Sequence, residues 1–372
     1  MDHGLRPGSA QEAADVSELC AHLDVPHTIL NWTGWSGKGN LPDQARRARY
    51  KLMTDWAEAR GIMMIALGHT QDDVAETFMM RLARGSGLDG LSSMADTVTS
   101  IGSRSMFYRP MLDWSRAELR EELNRRGQVW TDDPSNEDDR FERVRVRKAL
   151  EHLNELGITP KGIAETANRL RTAREDLGQY VSATARQAVQ FDAGDLIIPL
   201  PGDDRGEDQW HEGEWISDRD ETFRRILQAG VMWISGAEYP PRRNKLVQEV
   251  VWARSDTTMG GCRVVFQKQI MRLTREWKAV ADLRVPVGHT WDGRWKLTGA
   301  TRPGYEIAAL GEDALGLCPD RKSTGRPAAS LIASPAVWEG DKLIAAPLAG
   351  LGNGWQARLL RGPDRFFDLL AG

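Results

Sequence analysis

Cysteine is scarce in this sequence: Cys20, Cys262 and Cys318 are the only three in 372 residues, and they stand far apart with no CxxC pair. That spacing excludes a disulfide framework and offers no zinc ligand set, so the three read as core or incidental thiols. Long hydrophobic runs are missing as well, since no stretch approaches the roughly 18 apolar residues that a membrane span requires. The first twenty-odd residues carry Asp2, His3, Arg6 and Glu12 and no apolar run. No secretory signal is read there, and the expected location is the cytoplasm. Neither sign of charge dominates: 49 Lys and Arg against 53 Asp and Glu give a net charge of −4, an average that conceals local patches. There is no internal repeat and no low-complexity tract. What is present is an ordinary globular composition, 41% hydrophobic and 27% charged, in a chain long enough for two or three domains of roughly 100–200 residues.

The hydrophobic periodicity predicts an alternating α/β order. Ser9 with Glu12 forms a capping-box signal, and Ala13, Val16, Leu19, Cys20 and Leu23 recur at helical spacing, so a helix is expected over about 10–23. A short strand is expected at Pro26–Asn31. A second helix carries Ala45, Ala48, Leu52, Trp56 and Ala59 and stops at Gly61. "IMMIAL" at 62–67 then reads as a parallel strand covered on both faces. This alternation predicts a doubly wound parallel sheet, in which ligands sit beyond the carboxyl ends of the strands. After residue 150 come helices rich in Arg and Glu up to about 178, then a stretch at 191–215, heavy in Gly, Asp, Glu and Trp, that reads as a linker. A helix near 219–252 leads to short apolar segments such as "CRVVFQ", "IMRLTRE", "RWKLTG" and "DKLIAAP", which predict smaller β-rich or α+β domains.

Three segments carry chemistry. "GHTQDD" at 68–73 lies at a strand's exit. Thr70 is a candidate N-cap, with Val74, Phe78 and Leu82 as a buried stripe and Asp72, Asp73 and Glu76 crowding the first turns. These carboxylates either complement the helix dipole and face water or, with His69 beside them, form an ammonium or metal–phosphate site. "MRLARGSGLDGL" brings Arg81 and Arg84 to a glycine-rich turn that suits a phosphate, although Gly85 also reads simply as a helix C-cap. In "WTDDPSNEDDRFERVRVRKAL" at 130–150, residues 140–150 hold five basic residues and one acid, which suits phosphate partners; the plain alternative is a solvated helix face. "RRARYK" at 46–51 is a second cationic run.

In this order, "DHGLRPGS" at 2–9, "GNLPDQARRARY" at 39–50, "LGHTQDDVAETFMMRLARGSGLDGL" at 67–91, "RPML" at 109–112 and "DDPSNEDDRFERVRVR" at 132–147 resemble the tRNA(Ile)-lysidine synthetases of the PP-loop superfamily. "YPPRRNKL", "TTMGGCRVV" and "MRLTRE" are similar to that family's C-terminal RNA-binding region, less sharply. The resemblance implies a PP-loop catalytic domain over 1–178, a linker and first tRNA-binding domain over 179–282, and a second over 283–372. It implies a ligase that uses ATP with Mg2+ to activate the wobble cytidine of an isoleucine tRNA bearing a CAU anticodon. L-lysine then displaces AMP from the adenylated cytidine to leave lysidine. No membrane partner and no resident metal site are expected, and a homodimer is left open.

Carried over by residue, the resemblance implies adenylate or ATP contacts for Arg6, His69, Asp72 and Gly85, and lysine recognition by Asp73 and Glu76. Asp72, Asp73, Glu76 and Arg84 are the catalytic set. Arg81, Asp132, Asp133, Asn136, Arg140, Arg143, Arg145 and Arg147 face the tRNA. The family's SGGxDS loop, which cradles pyrophosphate, occurs nowhere in the 372 residues. The expectation is therefore that Met1 is an internal position, that SGGxDS lies upstream, and that residues 1–372 form no lysidine unaided. Two other readings stand beside this one: an inactive tRNA-binding remnant, and another PP-loop tRNA-modifying enzyme such as a thiolase, which would commonly need a working pair of cysteines.

Overall fold

The computed structural model describes residues 2, 4, 8–33, 41–92, 94–99, 104–130, 138–200, 221–237, 239–241, 250, 256–267 and 270–371. The chain divides into two compact units, Met1–Thr172 and Ala173–Gly372.

In the first unit, α1 (Ser9–His22) and α2 (Leu41–Glu58) precede β1 (Met64–Ala66), and α3 (Gln71–Ala83) follows. A short α4 (Leu88–Leu91), β2 (Thr97–Thr99), β3 (Met106–Tyr108), α5 (Arg116–Arg125), α6 (Glu142–Glu155) and the start of α7 (Pro160–Ala188) complete it. The described sheet runs β1-β3-β2, with β1 parallel to β3 and β2 antiparallel. It is an α/β fold with a mixed sheet among the described residues, where a parallel one was expected. The strand predicted at Pro26–Asn31 is reduced to a parallel bridge between Asn31 and Asp2.

Two burial expectations fail. "IMMIAL" yields a three-residue strand on which Met64 is 55% exposed, beside Met63 at 73%, because among the described residues only β3 flanks β1. Likewise α1 forms as its periodicity predicts yet fully buries none of its residues, Ala13, Leu19 and Cys20 being only half-buried. The buried contacts of this unit instead surround α3: Val74 packs with Ala164 and Ala167, and Ala75 with Leu150 and Ile163.

The second unit holds the remainder of α7, β4 (Gln190–Asp192), β5 (Asp195–Pro199), α8 (Glu221–Ser235), β6 (Thr257–Met259), β7 (Cys262–Gln267) and β8 (Ile270–Arg275). These strands form an antiparallel sheet in the order β4-β5-β8-β7-β6. β9 (Val285–Pro286), β11 (Tyr305–Ala309), β12 (Pro335–Glu339) and β13 (Lys342–Ala345) form a second sheet, and β10 (Trp295–Thr298) pairs with β14 (Gln356–Leu359). Residues 191–199, expected in a linker, therefore fall in two strands of the first sheet. They turn through Ala193 and Gly194, both at positive φ, the conformation of a tight hairpin. The helix predicted near 219–252 is described only over Glu221–Ser235, and residues 201–220 lie outside the described residues.

One core joins Leu196, Ile226, Trp233 and Leu273 to Phe366 and Leu370 of the C-terminal helix Pro363–Ala371. The chain thus returns at its far end to the sheet begun at β4, so residues on both sides of position 282 share a single core. A buried charge network lies at the β4–β5 hairpin: Arg272 bonds Asp195 at 2.8 Å and Asp192 at 3.0 Å, and Arg326 bonds Asp192 at 2.9 Å. Burial pushes the Asp195 carboxyl up, against the opposing pull of its hydrogen bonds from Ser330 and Arg272.

Candidate functional site at the start of α3

Leu67 extends the β1–β3 pairing by donating to Tyr108 O at 2.7 Å, so the chain leaves the sheet at Gly68 and enters α3 within three residues. Thr70 is the extended N-cap. Asp73 Oδ2 accepts from the Thr70 backbone N–H at 2.8 Å and from the Thr70 hydroxyl at 2.9 Å. The neighbouring Asp72 Oδ2 accepts from the Arg116 backbone N–H at 2.6 Å, and Gln71 N–H donates to Trp114 O at 2.9 Å. These contacts fix the start of α3 against the start of α5. The helix-end role of these carboxylates is thus met by contacts within the chain.

Glu76 sits one turn further on and is 1% exposed. Arg147 Nε donates to its Oε1 at 2.9 Å, and Arg116 Nη2 stands 3.5 Å from the same oxygen. Arg143 Nε lies 2.8 Å from Oε2 but off the hydrogen-bonding direction, so that contact is an ion pair by proximity; its Nη2 is 3.2 Å from Asp73 Oδ1. Two carboxylates thus face three guanidiniums, an excess of one positive charge. An anion at this edge meets a favourable field.

His69 occupies the strand exit, half-buried, with Nδ1 accepting from Arg109 Nε at 3.3 Å. Burial first, and then the Arg109 charge, hold its imidazole below the usual histidine range. The ring is accordingly neutral at pH 7, with its proton on Nε2 by assignment from this hydrogen bond. Arg109 is 6% exposed, and it also donates to Ala95 O at 2.5 Å and approaches the Tyr50 hydroxyl at 3.5 Å. Arg46 and Arg49 flank the Tyr50 ring at 5.4 and 5.8 Å. "RRARY" is thus in part a cation–π brace.

The expected site residues make the following contacts. Glu76 is buried and pairs with Arg143 and Arg147, whose side chains remain 43% and 29% exposed. Arg145 donates to Asp139 O and Arg140 O, and Arg140 clasps Asp138. Arg84 pairs with Glu142 of α6. Arg81 donates to Gly90 O at 2.8 Å, bracing the glycine turn from within. Gly85 sits at φ +68° and gives its N–H to Leu82 O, the conformation of a helix C-cap, so that N–H is not free for a phosphate. Arg6, Asp132, Asp133 and Asn136 lie outside the described residues.

Sequence reasoning gave no role to Arg109, Arg116 and Tyr50. Arg109 follows β3, the parallel neighbour of β1, which is where such sheets place ligand groups, and that position was the available signal. A cleft of about 200 Å3 also opens by the first turn of α3, lined in part by Gln71, Asp96, Asp113, Lys161 and Glu165. Among the described residues no three His, Cys, Asp or Glu side chains gather to hold a metal, and no helix is long and apolar enough to cross a membrane. The thiols offer no nucleophilic pair: Cys262 and Cys318 are buried, and burial pushes the Cys262 thiol up to about 12.

A strand exit, a capped acidic helix start and an arginine-rich edge are the parts of a nucleotide-handling α/β domain, and residues 1–153 match the PP-loop domain family. The whole chain is 46% identical to a tRNA(Ile)-lysidine synthase of Ruegeria pomeroyi, covering 85% of that protein. It is 31% identical over 80% of its length to one from a Wolbachia of Brugia malayi, covering 68% of it. The chain belongs to the tRNA(Ile)-lysidine synthase family, a family of ligases. A U34-tRNA thiolase, NcsA of Methanococcus maripaludis, with its [4Fe-4S] cluster, superimposes with a TM-score of 0.39 at 15% identity, over 46% of this chain and 60% of that one. That likeness is too loose to carry an argument.

Proposed function

We propose that this chain ligates L-lysine to the wobble cytidine of an isoleucine tRNA with a CAU anticodon, using ATP and passing through an adenylated cytidine. The observation that carries the reading is 46% identity with a tRNA(Ile)-lysidine synthase along the entire chain. In the first step the cytidine carbonyl oxygen bonds to the α-phosphate and pyrophosphate leaves. In the second an amine of lysine displaces AMP at the same carbon.

The neutral His69 would offer its Nε2 proton to the adenylate without adding charge, held in place by Arg109. Mg2+ would enter with ATP. Asp72 Oδ1, which has no hydrogen-bond partner among the described residues, fits a contact to that complex. For lysine, Asp73 Oδ1 is the available oxygen, since an ammonium there would replace Arg143 Nη2. The displaced guanidinium would turn to the phosphates, so lysine entry and charge neutralisation share one arginine. Glu76 would act through Arg116, Arg143 and Arg147 rather than on lysine itself.

The test is the mass of tRNA(Ile) after incubation with the chain, ATP and lysine. A gain of one lysine residue, dependent on both, supports the reading and overturns the expectation that residues 1–372 form none unaided; a gain of sulfur overturns the reading, and so does the lack of any gain when the same assay is repeated with the chain extended by an SGGxDS segment.

A further inference from the structure

Two of the arginines around Glu76 each follow an exposed aromatic residue by two positions. Arg116 Nη2 lies 3.5 Å from Glu76 Oε1 and comes after Trp114; Arg143 Nε lies 2.8 Å from Glu76 Oε2 and comes after Phe141. Trp114 stands immediately before Ser115, the N-cap of α5, and Phe141 is the N-cap of α6, so each ring sits at the head of a helix that an arginine ties to α3. Both backbones are held in place. Trp114 O accepts from Gln71 N–H at 2.9 Å, and Phe141 N–H donates to Asp138 O at 3.0 Å. The rings nevertheless stay open: Trp114 is 53% exposed and Phe141 51%, neither belongs to the apolar clusters around α3, and neither meets another ring or a cation among the described residues. Tryptophan elsewhere is covered. Among the described residues only Trp114 and Trp130 are exposed, and Arg120 already lies over the Trp130 ring at 5.5 Å. An aromatic face kept open on a fixed backbone beside a cationic edge has the makings of a base-stacking surface.

We infer that Trp114 and Phe141 are stacking platforms for unpaired bases of the anticodon loop, holding that loop against the Asp73–Glu76 edge while the wobble cytidine is presented for reaction. The inference rests on the proposed tRNA reaction and names the groups that grip its substrate beside the reacting base. Three guanidiniums facing two carboxylates leave this edge positive, which suits the backbone of the loop, and the rings take bases that the turning backbone splays outward. Stacking reads no base edge, since every base has a π-face. The two rings therefore position the loop, and the choice of cytidine falls to other contacts in the site.

The experiment measures the affinity of the full chain for the anticodon stem-loop of tRNA(Ile), and for the same hairpin made abasic at the wobble position and its two neighbours, across a salt series. The proteins are the parent, W114A, F141A, W114F and the control W130A. W114A and F141A should each weaken binding of the intact loop about 5- to 150-fold, the range for one base–aromatic stack, with the log–log salt slope unchanged because a stack neutralises no phosphate. W114F should keep most of the parent's affinity, and on the abasic hairpin the parent, W114A and F141A should converge. Both rings are exposed, so neither alanine removes a core contact. An intact-loop affinity unchanged in either alanine variant, an equal loss on the abasic hairpin, a loss accompanied by a shallower salt slope, or a W130A loss as large as that of W114A overturns the proposal and leaves the enzymatic reading intact. So does a parent that binds whole tRNA(Ile) but not the stem-loop. A parent that binds neither overturns both.

Discussion

The two units bury opposite things. Around α3 the first unit has two small apolar clusters of three buried residues each, and at its centre a carboxylate encircled by arginines. The second unit is built on a continuous core in which Trp233 meets Phe191 and Phe366 edge to face at 5.3 and 6.3 Å. Packing of the second kind favours one arrangement and has little reason to change. Ionic packing can be redistributed: if lysine displaces Arg143 from Asp73, the guanidinium has Glu76 to fall back on and a phosphate to move toward. The difference places redistributable ionic contacts at the proposed site and fixed apolar contacts in the second unit.

The comparison breaks most readily in the second unit. Trp233→Ala removes a 1% exposed indole and its hydrogen bond to Gly362 O, and should destabilise that unit by about 4–5 kcal/mol in denaturant unfolding followed by near-ultraviolet dichroism. Glu76→Ala leaves three guanidiniums around an empty centre and should cost the first unit about 3–4 kcal/mol. The unfolding of that unit alone should shift; a loss below 1 kcal/mol would mean that the arginines are held by something else. Asp73→Asn is milder. It weakens the cap of α3 by about 1 kcal/mol and should raise the lysine concentration needed for turnover far more than the ATP concentration, as steady-state kinetics would report.

The smallest effect concerns His69. Because its folded-state titration lies below the usual 6.5, the stability contributed by the neutral ring is complete above pH 6.5 and fades as the pH falls through that value toward the lowered one. Arg109→Gln removes the second cause of the shift. The imidazole resonances of His69 should then titrate closer to 6.5, and a midpoint that stays put would exclude Arg109 from the site's electrostatics.

The helix at 71–83 was legible because a cap, a first-turn carboxylate and a buried stripe coincide there, each a local signal. Its partners were not. Glu76 finds Arg143 and Arg147 some seventy residues away, and a basic run that looks made for phosphate is half consumed by that carboxylate. The same limit explains residues 191–199, where Asp192, Gly194 and Asp195 look like linker composition until Arg272 arrives from β8 to neutralise both acids. Sequence periodicity also reports which face of a helix is apolar, not how fully it is covered; α1 forms as expected with that face only partly covered, Val16 and Leu23 being 48% and 61% exposed.

The closure of the second core by Phe366 and Leu370 has a consequence for synthesis on the ribosome. Domains generally fold as units in chain order at about 5–20 residues per second. Here Trp233 must wait for partners some 130 positions later, so α8 and its sheet emerge many seconds before the helix that seals them. During that interval the exposed face of α8 is open to chaperones and to other nascent chains. Yield in the cell should therefore respond to translation speed between codons 240 and 360 more than to any single contact within the finished protein.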